Sequence, residues 1–307
     1  MIMEKISKSQ IKLVRSLQMK KFRDETGLFV AEGEKCVEEL RKGFEVEYYI
    51  QTAGADRPAT PDRTQTGLRP DRVLLATPKE IEQMSGLRTP QGVIGVFRKR
   101  PTRPPLEGEE KGKEDIILVL DGVQDPGNLG TIIRTCDWFG VHEIVCSKDT
   151  ADCYNPKVVQ ATMGALARVR VHYTDLVEWL SPTRPPHESP TRPPHEGEEK
   201  SPLRLPHEGG EKVRIYGTLL EGENMYEVLG NGGLINGDAS LNGGLMPQVI
   251  IMGNEGNGIS AEVRKLITHP IRIPSYPPNG ASEVVESLNV SIATAIVLAE
   301  FRRAQVH

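Results

Sequence analysis

Short apolar segments alternate with helix-forming segments over the chain from Ile116 onward. The apolar runs predict buried strands at Ile116–Leu120, Glu143–Cys146, Ala167–Val171, Val213–Thr218 and Val249–Met252. Helical periodicity or capping patterns follow, at Leu129–Phe139, Pro156–Met163, Thr174–Leu180, Ser260–Leu266 and Ser287–Arg303. Strands that lack a polar face, each followed by a helix, are typical of a parallel sheet covered on both sides. Ligands of such sheets bind beyond the carboxyl ends of the strands.

The first hundred residues show a second alternation with shorter elements. Strands are predicted at Leu28–Ala31, Val46–Ile50, Val73–Ala76 and Val93–Phe97. Helices are predicted over residues 9–20 and 35–42, and after Thr77, where Pro78 suits a first helical position. The fold class is therefore α/β, with a small domain over residues 1–99 and a larger one over residues 115–307.

Polar, proline-rich repeats interrupt both alternations. The segment Thr102–Lys111 recurs almost verbatim at Thr191–Lys200, and a third segment repeats Asn-Gly-Gly-Leu. Such sequences cannot bury an apolar face, so they do not form a solenoid. They predict a linker over residues 100–114 and surface insertions at 181–212 and 231–246, and none of them is expected to carry chemistry.

The charge distribution is more informative than the net charge of −4. Seven Lys or Arg residues lie between Met1 and Arg23, against the single acid Glu4. Such a positive patch can bind phosphates, although the plain alternative is a solvated helix face. The four cysteines show neither zinc-site nor disulfide spacing, and the chain lacks an apolar run of about 18 residues. We therefore expect a cytoplasmic protein without a structural metal or a membrane span.

The segment Asn128–Arg134 stands at the start of the helix that follows the first strand of the larger domain. Asn128 is suited to cap this helix. Arg134 lies off the apolar stripe of the helix, so its structural alternative is a surface ion pair with Asp137, three residues on.

A glycine turn, Gly253–Gly258, follows the strand Val249–Met252. Its G-x-x-G-x-G spacing differs from the G-x-G-x-x-G of dinucleotide-binding folds. Glycines let the backbone approach a ligand closely, although a simple tight turn would explain them as well. Glu255 lies within this turn, where a solvated carboxylate has no energetic penalty and so needs no functional explanation.

The last predicted helix, Ser287–Arg303, is apolar nearly all round, which is typical of a buried helix. Its polar residues are concentrated in the first two turns. Ser287 is suited to the N-cap position. Asn289, near the start of a buried helix, requires a hydrogen-bond partner such as a ligand or a catalytic network.

In this order, the three segments resemble the three motifs of the SpoU/TrmH family of RNA 2′-O-ribose methyltransferases. The resemblance covers the last two hundred residues closely. It covers the first hundred more loosely, through the basic helix, Glu32-Gly33 and Thr89–Gly92, which are similar to a small ribosomal-protein-like RNA-binding domain. It implies a knotted α/β methyltransferase domain, S-adenosylmethionine as cofactor, a homodimer and an RNA substrate. By analogy, the extra N-terminal domain favours ribosomal RNA over transfer RNA.

The resemblance also implies a role for particular side chains. The catalytic residues would be Asn128, Arg134, Glu255, Ser287 and Asn289. Arginine has a pKa above about 12, so Arg134 is expected to stabilise an alkoxide or to hold the adjacent phosphate rather than to act as a base. The cofactor pocket would be lined by Leu219, Gly253, Asn254, Ile273 and Leu288. RNA would contact Lys12, Arg15, Lys20 and Arg23. The connection over residues 275–286 is longer than in many relatives.

Two other classes of function stay open. A non-catalytic RNA-binding protein would keep this fold, but the presence of every polar motif residue argues against it. A nucleotide-dependent oxidoreductase is disfavoured by the glycine spacing.

Overall fold

A computed structural model describes residues 3–53, 72–100, 116–181, 213–230, 248–276 and 287–306. Apart from Arg100 and Ser181, the predicted linker and insertions lie outside the described residues, as does most of the connection over residues 275–286. The chain divides into two compact units. The first contains Met1–Pro101, Asp125–Asp137 and Ala151–Val169, and the second contains Thr102–Gln124, Trp138–Thr150 and Arg170–His307. The first unit thus includes two segments that the sequence analysis placed in the larger domain.

The first unit is built on a mixed five-stranded sheet. Its strands are β1 (Met3–Lys5), β2 (Leu28–Glu32), β3 (Val46–Thr52), β4 (Val73–Ala76) and β5 (Val93–Arg98), in the order β1-β4-β3-β5-β2. β4 pairs in parallel with β1 and β3, and β5 is antiparallel to β3 and β2. The four strands predicted here are confirmed, whereas β1 has only three residues and gave no periodic signal.

The helices of this unit are α1 (Lys8–Ser16), α2 (Lys20–Thr26), α3 (Glu34–Leu40), α4 (Pro78–Met84), α5 (Pro126–Trp138), which extends one residue beyond it, and α6 (Pro156–Thr162). The single helix predicted over residues 9–20 is wrong. α1 begins with a capping box between Ser7 and Gln10, and Met19 has an extended backbone that separates α1 from α2. α4 begins with the predicted Thr77 cap and Pro78.

Both faces of the first sheet are covered. On one face, Val14 and Leu17 pack with Ile50, Leu74 and other buried side chains in a single apolar cluster. On the other face, the ring of Phe29 lies 4.8 Å from the ring of Tyr154. Tyr154 belongs to the segment Ala151–Val169, so this contact explains why the segment is part of the first unit. Burial raises the pKa of the Tyr154 hydroxyl, which exchanges hydrogen bonds with the backbone of Arg100.

The second unit contains a parallel sheet, as predicted, but with six strands instead of the five predicted. Its strands are β6 (Ile116–Leu120), β7 (Glu143–Ser147), β8 (Arg170–Thr174), β9 (Ile215–Asn224), β10 (Gln248–Met252) and β11 (His269–Arg272), in the order β11-β9-β10-β6-β7-β8. β8 begins three residues later than predicted, because Ala165–Ala167 forms a 3₁₀ turn. β11 was missed, since its Pro270 argues against a strand.

The helices of the second unit are α7 (Leu176–Leu180), α8 (Met225–Gly230), α9 (Ala261–Arg264) and α10 (Val290–Val306). Trp179 of α7 and Val263 of α9 share an apolar cluster with Val119 and Ile251 of the central strands. The ring of Phe301 in α10 lies edge-on to Tyr216 of β9, with centroids 4.9 Å apart. In the described part of the chain, no helix is long and apolar enough to cross a membrane.

Candidate cofactor site and catalytic residues

The strand order of the second unit brings three of the predicted pocket residues to one edge of the sheet. β9 lies between β11 and β10 and is parallel to both. Gly253 is the first residue after β10, Ile273 is the first after β11, and Leu219 lies two residues beyond the last β9 residue paired with β10. Gly253 and Ile273 therefore lie at the carboxyl ends of their strands, where parallel sheets bind their ligands, and Leu219 lies in β9 just beyond its pairing with β10.

The segment of β9 that carries Leu219 is a bulge. Gly217 pairs with Pro270, but Glu223 pairs with the very next β11 residue, Ile271, so residues 218–222 have no partner on β11. The Thr218 hydroxyl donates to the Ile251 carbonyl at 3.2 Å and holds the bulge to β10. A Cβ atom at Gly222 would lie 2.4 Å from the backbone of Ile271, so the bulge requires glycine there. Leu219 itself is partly buried.

The glycine turn after β10 is closed by Asn254. Its backbone N–H and C=O bond to those of Gly258 at 3.0 and 2.9 Å. Its side-chain oxygen accepts from the N–H groups of Gly256 at 2.8 Å and Asn257 at 3.0 Å. The side-chain amide donates to the Gly122 carbonyl at 2.7 Å. The Asn254 side chain therefore stabilises the turn, and of its backbone groups the carbonyl, which has a second lone pair, can still accept a hydrogen bond from a ligand. Glu255 is exposed on the turn.

Asp121, which the sequence analysis did not select, fixes the far end of this turn. Its buried carboxylate accepts from the N–H of Ser260 at 2.7 Å, and its own N–H donates to the Met252 carbonyl at 2.9 Å. The signal for it was present. A carboxylate that directly follows a buried strand of a parallel sheet lies at the ligand-binding edge.

The start of α10 corrects two predictions. Asn289 caps the helix: its side-chain oxygen accepts from the Ser291 N–H at 3.0 Å and from the Ser291 hydroxyl at 2.6 Å. Ser287, the predicted cap, lies three residues before the helix and is exposed. Asn289 is also exposed, and the first helical turn supplies the partners of its side-chain oxygen, so this oxygen does not require a ligand as its partner. Leu288, between them, is half exposed.

α5 begins three residues earlier than predicted, so Asn128 lies inside its first turn and is not its cap. The carboxylate of Asp125 accepts from the Asn128 N–H at 2.8 Å and takes the capping role. Pro126 occupies the first helical position, where its missing N–H costs nothing. Asn128 is partly buried.

Arg134 is exposed on α5. It does not form the surface ion pair with Asp137 that was the alternative to a functional role. The Asp137 carboxylate accepts two bonds from Arg168 instead, at 2.8 Å from Nε and 2.7 Å from Nη2. This pairing raises the pKa of the Arg168 guanidinium. Among the residues that the structure describes, none forms a hydrogen bond or an ion pair with Arg134. Its charge is therefore available to a ligand.

Gly130 brings α5 close to α6 and was also missed. A Cβ atom at this position would lie 2.4 Å from the Cβ of Ala161 and 2.9 Å from the carbonyl of Val158. Only glycine allows this distance between the two helices. The signal was a glycine inside the apolar stripe of a predicted helix.

The basic residues near the start of the chain do not form one exposed face. Arg23 is 2% exposed, and it donates to Asp152 at 2.7 Å and to the carbonyls of Leu17 and Gln18. The prediction that Arg23 lies on a solvated RNA-binding face is therefore wrong, since its charge is neutralised inside the first unit. Lys20 is exposed but pairs with Asp24 at 2.6 Å. Lys12 and Arg15 are exposed on α1, as predicted.

The predicted site residues are thus divided between the units. The first unit contains Asn128 and Arg134 with the basic residues. The second contains Leu219, Gly253, Asn254, Glu255, Ile273, Ser287, Leu288 and Asn289. Within the described ranges, no group of three or more His, Cys, Asp or Glu side chains is arranged to hold a metal ion.

Comparison with known families matches both parts of the chain. The model of the SpoU rRNA Methylase family matches residues 115–187 and 204–299, and that of the MRM3-like substrate binding domain matches residues 8–95. The chain belongs to the SpoU rRNA methylase family. The predicted family, the α/β methyltransferase fold class and the enzymatic class are confirmed.

Individual relatives match this SpoU-family protein over nearly their whole length. A Bacillus subtilis protein named 23S rRNA (guanosine(2553)-2′-O)-methyltransferase RlmP is 26% identical over 97% of this chain and 98% of its own. A structure of a TrmH-family RNA methyltransferase from Porphyromonas gingivalis is 34% identical, with a TM-score of 0.69 over 97% of this chain and 98% of that one. An AdoMet-bound rRNA methyltransferase from Sinorhizobium meliloti is 25% identical, with a TM-score of 0.65 over 98% of both chains.

The residues at the edge of the second sheet suit S-adenosylmethionine, the cofactor of the SpoU family. Leu219 and Ile273 are half buried and Leu288 is half exposed, so apolar surface is available for an adenine ring. The backbone carbonyls of the turn after Gly253 each have a second lone pair, so they can accept hydrogen bonds from polar groups of a ligand. Ligand sites of this kind combine an apolar lining with a few placed polar groups.

Proposed function

We propose that this protein transfers the methyl group of S-adenosylmethionine to a ribose 2′-hydroxyl of ribosomal RNA. The observation that carries the proposal is that Gly253 and Ile273, two of the residues predicted to hold the cofactor, directly follow the parallel strands β10 and β11 within the part of the chain that matches the SpoU family. Two of the relatives described above, from Bacillus subtilis and Sinorhizobium meliloti, are named rRNA methyltransferases, and the second of these has AdoMet bound.

The cofactor is held by the backbone of Gly253 and Asn254 and by the side chains of Leu219, Ile273 and Leu288. S-adenosylmethionine supplies a methyl group that is made electrophilic by the positive charge on its sulfur. The residues around it have to fix the orientation of that methyl group and to exclude water, because alignment of the reacting atoms is a large part of catalysis. Asn254 contributes indirectly, since its side chain keeps the turn closed.

Arg134 acts on the RNA. A ribose 2′-hydroxyl is a poor nucleophile at neutral pH, and negative charge develops on its oxygen as its proton is lost to solvent, which allows the oxygen to attack the methyl group. A guanidinium that is fully charged at this pH stabilises such a developing alkoxide or the neighbouring phosphate. Its exposed position on α5, with Asp137 bonded to Arg168, supports this assignment. Asn128, Glu255, Ser287 and Asn289 complete the catalytic set.

The first unit recognises the RNA. Its residues 8–95 match a substrate-binding domain, and α1 presents Lys8, Lys12 and Arg15 to solvent. Lysine and arginine side chains on one helix face bind phosphates without regard to sequence. The specific ribosomal nucleotide is then selected by base contacts.

We further propose that the active form is a cytoplasmic homodimer with a knotted methyltransferase domain. Ile292 is 54% exposed and Leu288 is 49% exposed at the start of α10, and such apolar side chains are suited to burial between subunits. All four cysteines are free thiols, which suits a reducing compartment. The knot is expected for the family, and part of the chain that would form it, residues 277–286, lies outside the described residues.

Calorimetric titration with S-adenosylmethionine and with NAD tests the cofactor, and methyl transfer to ribosomal RNA tests the reaction. We expect the protein to bind S-adenosylmethionine but not NAD, and to transfer the methyl group to one nucleotide of ribosomal RNA. Mapping of 2′-O-methyl sites in RNA from cells that lack the protein identifies that nucleotide. A protein that binds RNA tightly but neither binds S-adenosylmethionine nor transfers methyl groups would be the non-catalytic alternative.

A further inference from the structure

Two hydroxyl groups at the end of β7 bond to the loop that follows β6. The Gly122 N–H donates to the Ser147 hydroxyl oxygen at 2.8 Å, and the Ser147 and Thr150 hydroxyls lie 3.0 Å apart. The Thr150 hydroxyl donates to the Leu120 carbonyl at 3.2 Å. Ser147 and Thr150 are both buried, so these bonds are shielded from water.

The donor and the acceptor of each hydrogen bond in this group can be assigned from its two backbone ends, the Gly122 N–H and the Leu120 carbonyl. The Leu120 carbonyl has no proton, so Thr150 must use its own proton there. The Ser147 hydroxyl must then donate to Thr150, and it is left to accept from Gly122. The bonds therefore run from the N–H of Gly122 through Ser147 and Thr150 to the carbonyl of Leu120. We call these bonds the hydroxyl relay. The relay begins and ends on the backbone of residues 120–122, and each of its two hydroxyls accepts one hydrogen bond and donates another.

The backbone that the relay holds is the backbone that Asn254 contacts. Gly122 has a φ of 72°, a left-handed conformation that favours glycine. Its carbonyl accepts from the Asn254 amide at 2.7 Å. Because Asn254 uses that amide, its oxygen is directed at the N–H groups of Gly256 and Asn257. The orientation of the Gly122 carbonyl thus determines how the turn from Gly253 to Gly258 is closed.

We propose that Ser147 and Thr150 are positioning residues for the cofactor site, which act through Gly122 and Asn254. They do not touch the cofactor. They fix the peptide that orients Asn254, and Asn254 in turn fixes the backbone groups that hold S-adenosylmethionine. The inference rests on the proposed function, because it assumes that the turn after β10 binds this cofactor.

The test is the affinity for S-adenosylmethionine, measured by calorimetry on the full chain. Ser147→Ala removes the acceptor of the Gly122 N–H, and Thr150→Val removes the other hydroxyl. We expect each variant to bind the cofactor roughly tenfold more weakly, as is typical when one buried hydrogen bond is removed. The double variant should lose little more, because the relay is already broken by either change.

Conservative variants and a matched control separate positioning from general stability. Ser147→Thr and Thr150→Ser keep the hydroxyls and should retain near wild-type affinity. Thr174→Val is the control: Thr174 is a buried threonine that pairs with Ser147 at the end of the next strand but takes no part in the relay. It should leave cofactor affinity unchanged, even where it lowers the melting temperature as much as Thr150→Val does.

A double-mutant cycle tests the route through Asn254. In an Asn254→Ala background, the further change Ser147→Ala should have little effect on cofactor affinity. If Ser147→Ala lowered cofactor affinity equally in the wild-type and the Asn254→Ala backgrounds, Ser147 would not act through Asn254. Ser147→Ala and Thr150→Val variants that bind S-adenosylmethionine within twofold of the wild type would overturn the inference while the proposed function stands. A wild-type protein that binds no S-adenosylmethionine would overturn the proposed function itself.

Discussion

The Arg23 guanidinium donates to the carboxylate of Asp152 at 2.7 Å, although the two residues are 129 positions apart in the chain. The same guanidinium donates to the carbonyls of Leu17 and Gln18, at 2.9 and 3.0 Å. These bonds join the end of α1 and the start of α2 to the segment Ala151–Val169 within the first unit. Arg23 therefore has a structural role, not the RNA-binding role that its basic neighbours suggested.

Replacement of Arg23 by Ala should destabilise the protein by roughly 3–5 kcal/mol, because it leaves a partly buried carboxylate without its partner. Urea unfolding measures this loss. Lys20→Ala is the control, since Lys20 forms an ion pair with Asp24 in which both side chains are exposed. That change should cost no more than about 1 kcal/mol. Equal stability of the two variants would contradict the structural role of Arg23.

Arg23 also shows where reasoning from the sequence stops. Local charge patterning places it with six other basic residues, and nothing in that pattern reveals a partner 129 positions away. The strands of both sheets were predictable where apolar runs are long and uninterrupted, as in Ile116–Leu120. β11 was not predictable, because it has only four residues and contains a proline, which argues against a strand. Its pairing with β9, far away in the sequence, has no local signal either.

RNA affinity should depend on α1 and not on α2. Lys8, Lys12 and Arg15 are exposed, and no described residue pairs with them, whereas Lys20 and Lys21 pair with Asp24 and Glu25. Changing the three α1 residues to Gln should weaken RNA binding and reduce the magnitude of its salt slope, by about 0.7–0.9 for each RNA phosphate that the variant no longer neutralises. RNA affinity over a salt series provides the measurement.

The matched control changes Lys20 and Lys21 to Gln. This variant should retain most of the salt dependence of RNA binding, because the charges of Lys20 and Lys21 are already compensated by acidic residues one helical turn away. Cofactor affinity should be the same in all three proteins. If the α1 variant kept the wild-type slope, α1 would be only a solvated helix face.

Arg134→Ala should reduce methyl transfer by at least about a hundredfold while S-adenosylmethionine binds normally, since the loss of one charge-stabilising donor typically costs that much in turnover. Arg134→Lys should recover only part of the activity, because lysine lacks the planar fork of donors. Single-turnover methyl transfer and calorimetry separate the two effects. Turnover of the Ala variant close to that of the wild type would remove Arg134 from the mechanism.

The site was predicted in part because its motifs stand at strand ends, which the sequence marks by the change from apolar to polar residues. The function of each polar side chain was harder to predict. Asn289 and Asn254 look like ligand-binding amides in the sequence, but both satisfy backbone N–H groups of their own helix or turn. Capping and ligand binding use the same donors and acceptors, so only the hydrogen-bond partners distinguish them.

Gly130 should be intolerant of even one added methyl group. The Cβ of Gly130→Ala would lie 2.4 Å from the Cβ of Ala161 and 2.9 Å from the Val158 carbonyl, which is backbone and cannot rotate away. We expect a loss of roughly 1–3 kcal/mol in the free energy of unfolding, as is usual for overpacking. Methyl transfer should fall as well, because α5 carries Arg134 and has to shift away from α6.

Two further variants show whether the effect is a clash. In Gly130→Ala with Ala161→Gly, the closer of the two clashes is removed, so part of the stability should return. Gly230, the last residue of α8, serves as the control, because no described atom lies within 4 Å of a Cβ added there. Gly230→Ala should be neutral or stabilise the protein by about 0.4–1 kcal/mol, since alanine restricts the unfolded chain. If Gly130→Ala proved as harmless as Gly230→Ala, the close approach of α5 and α6 would not be required for folding or for the position of Arg134.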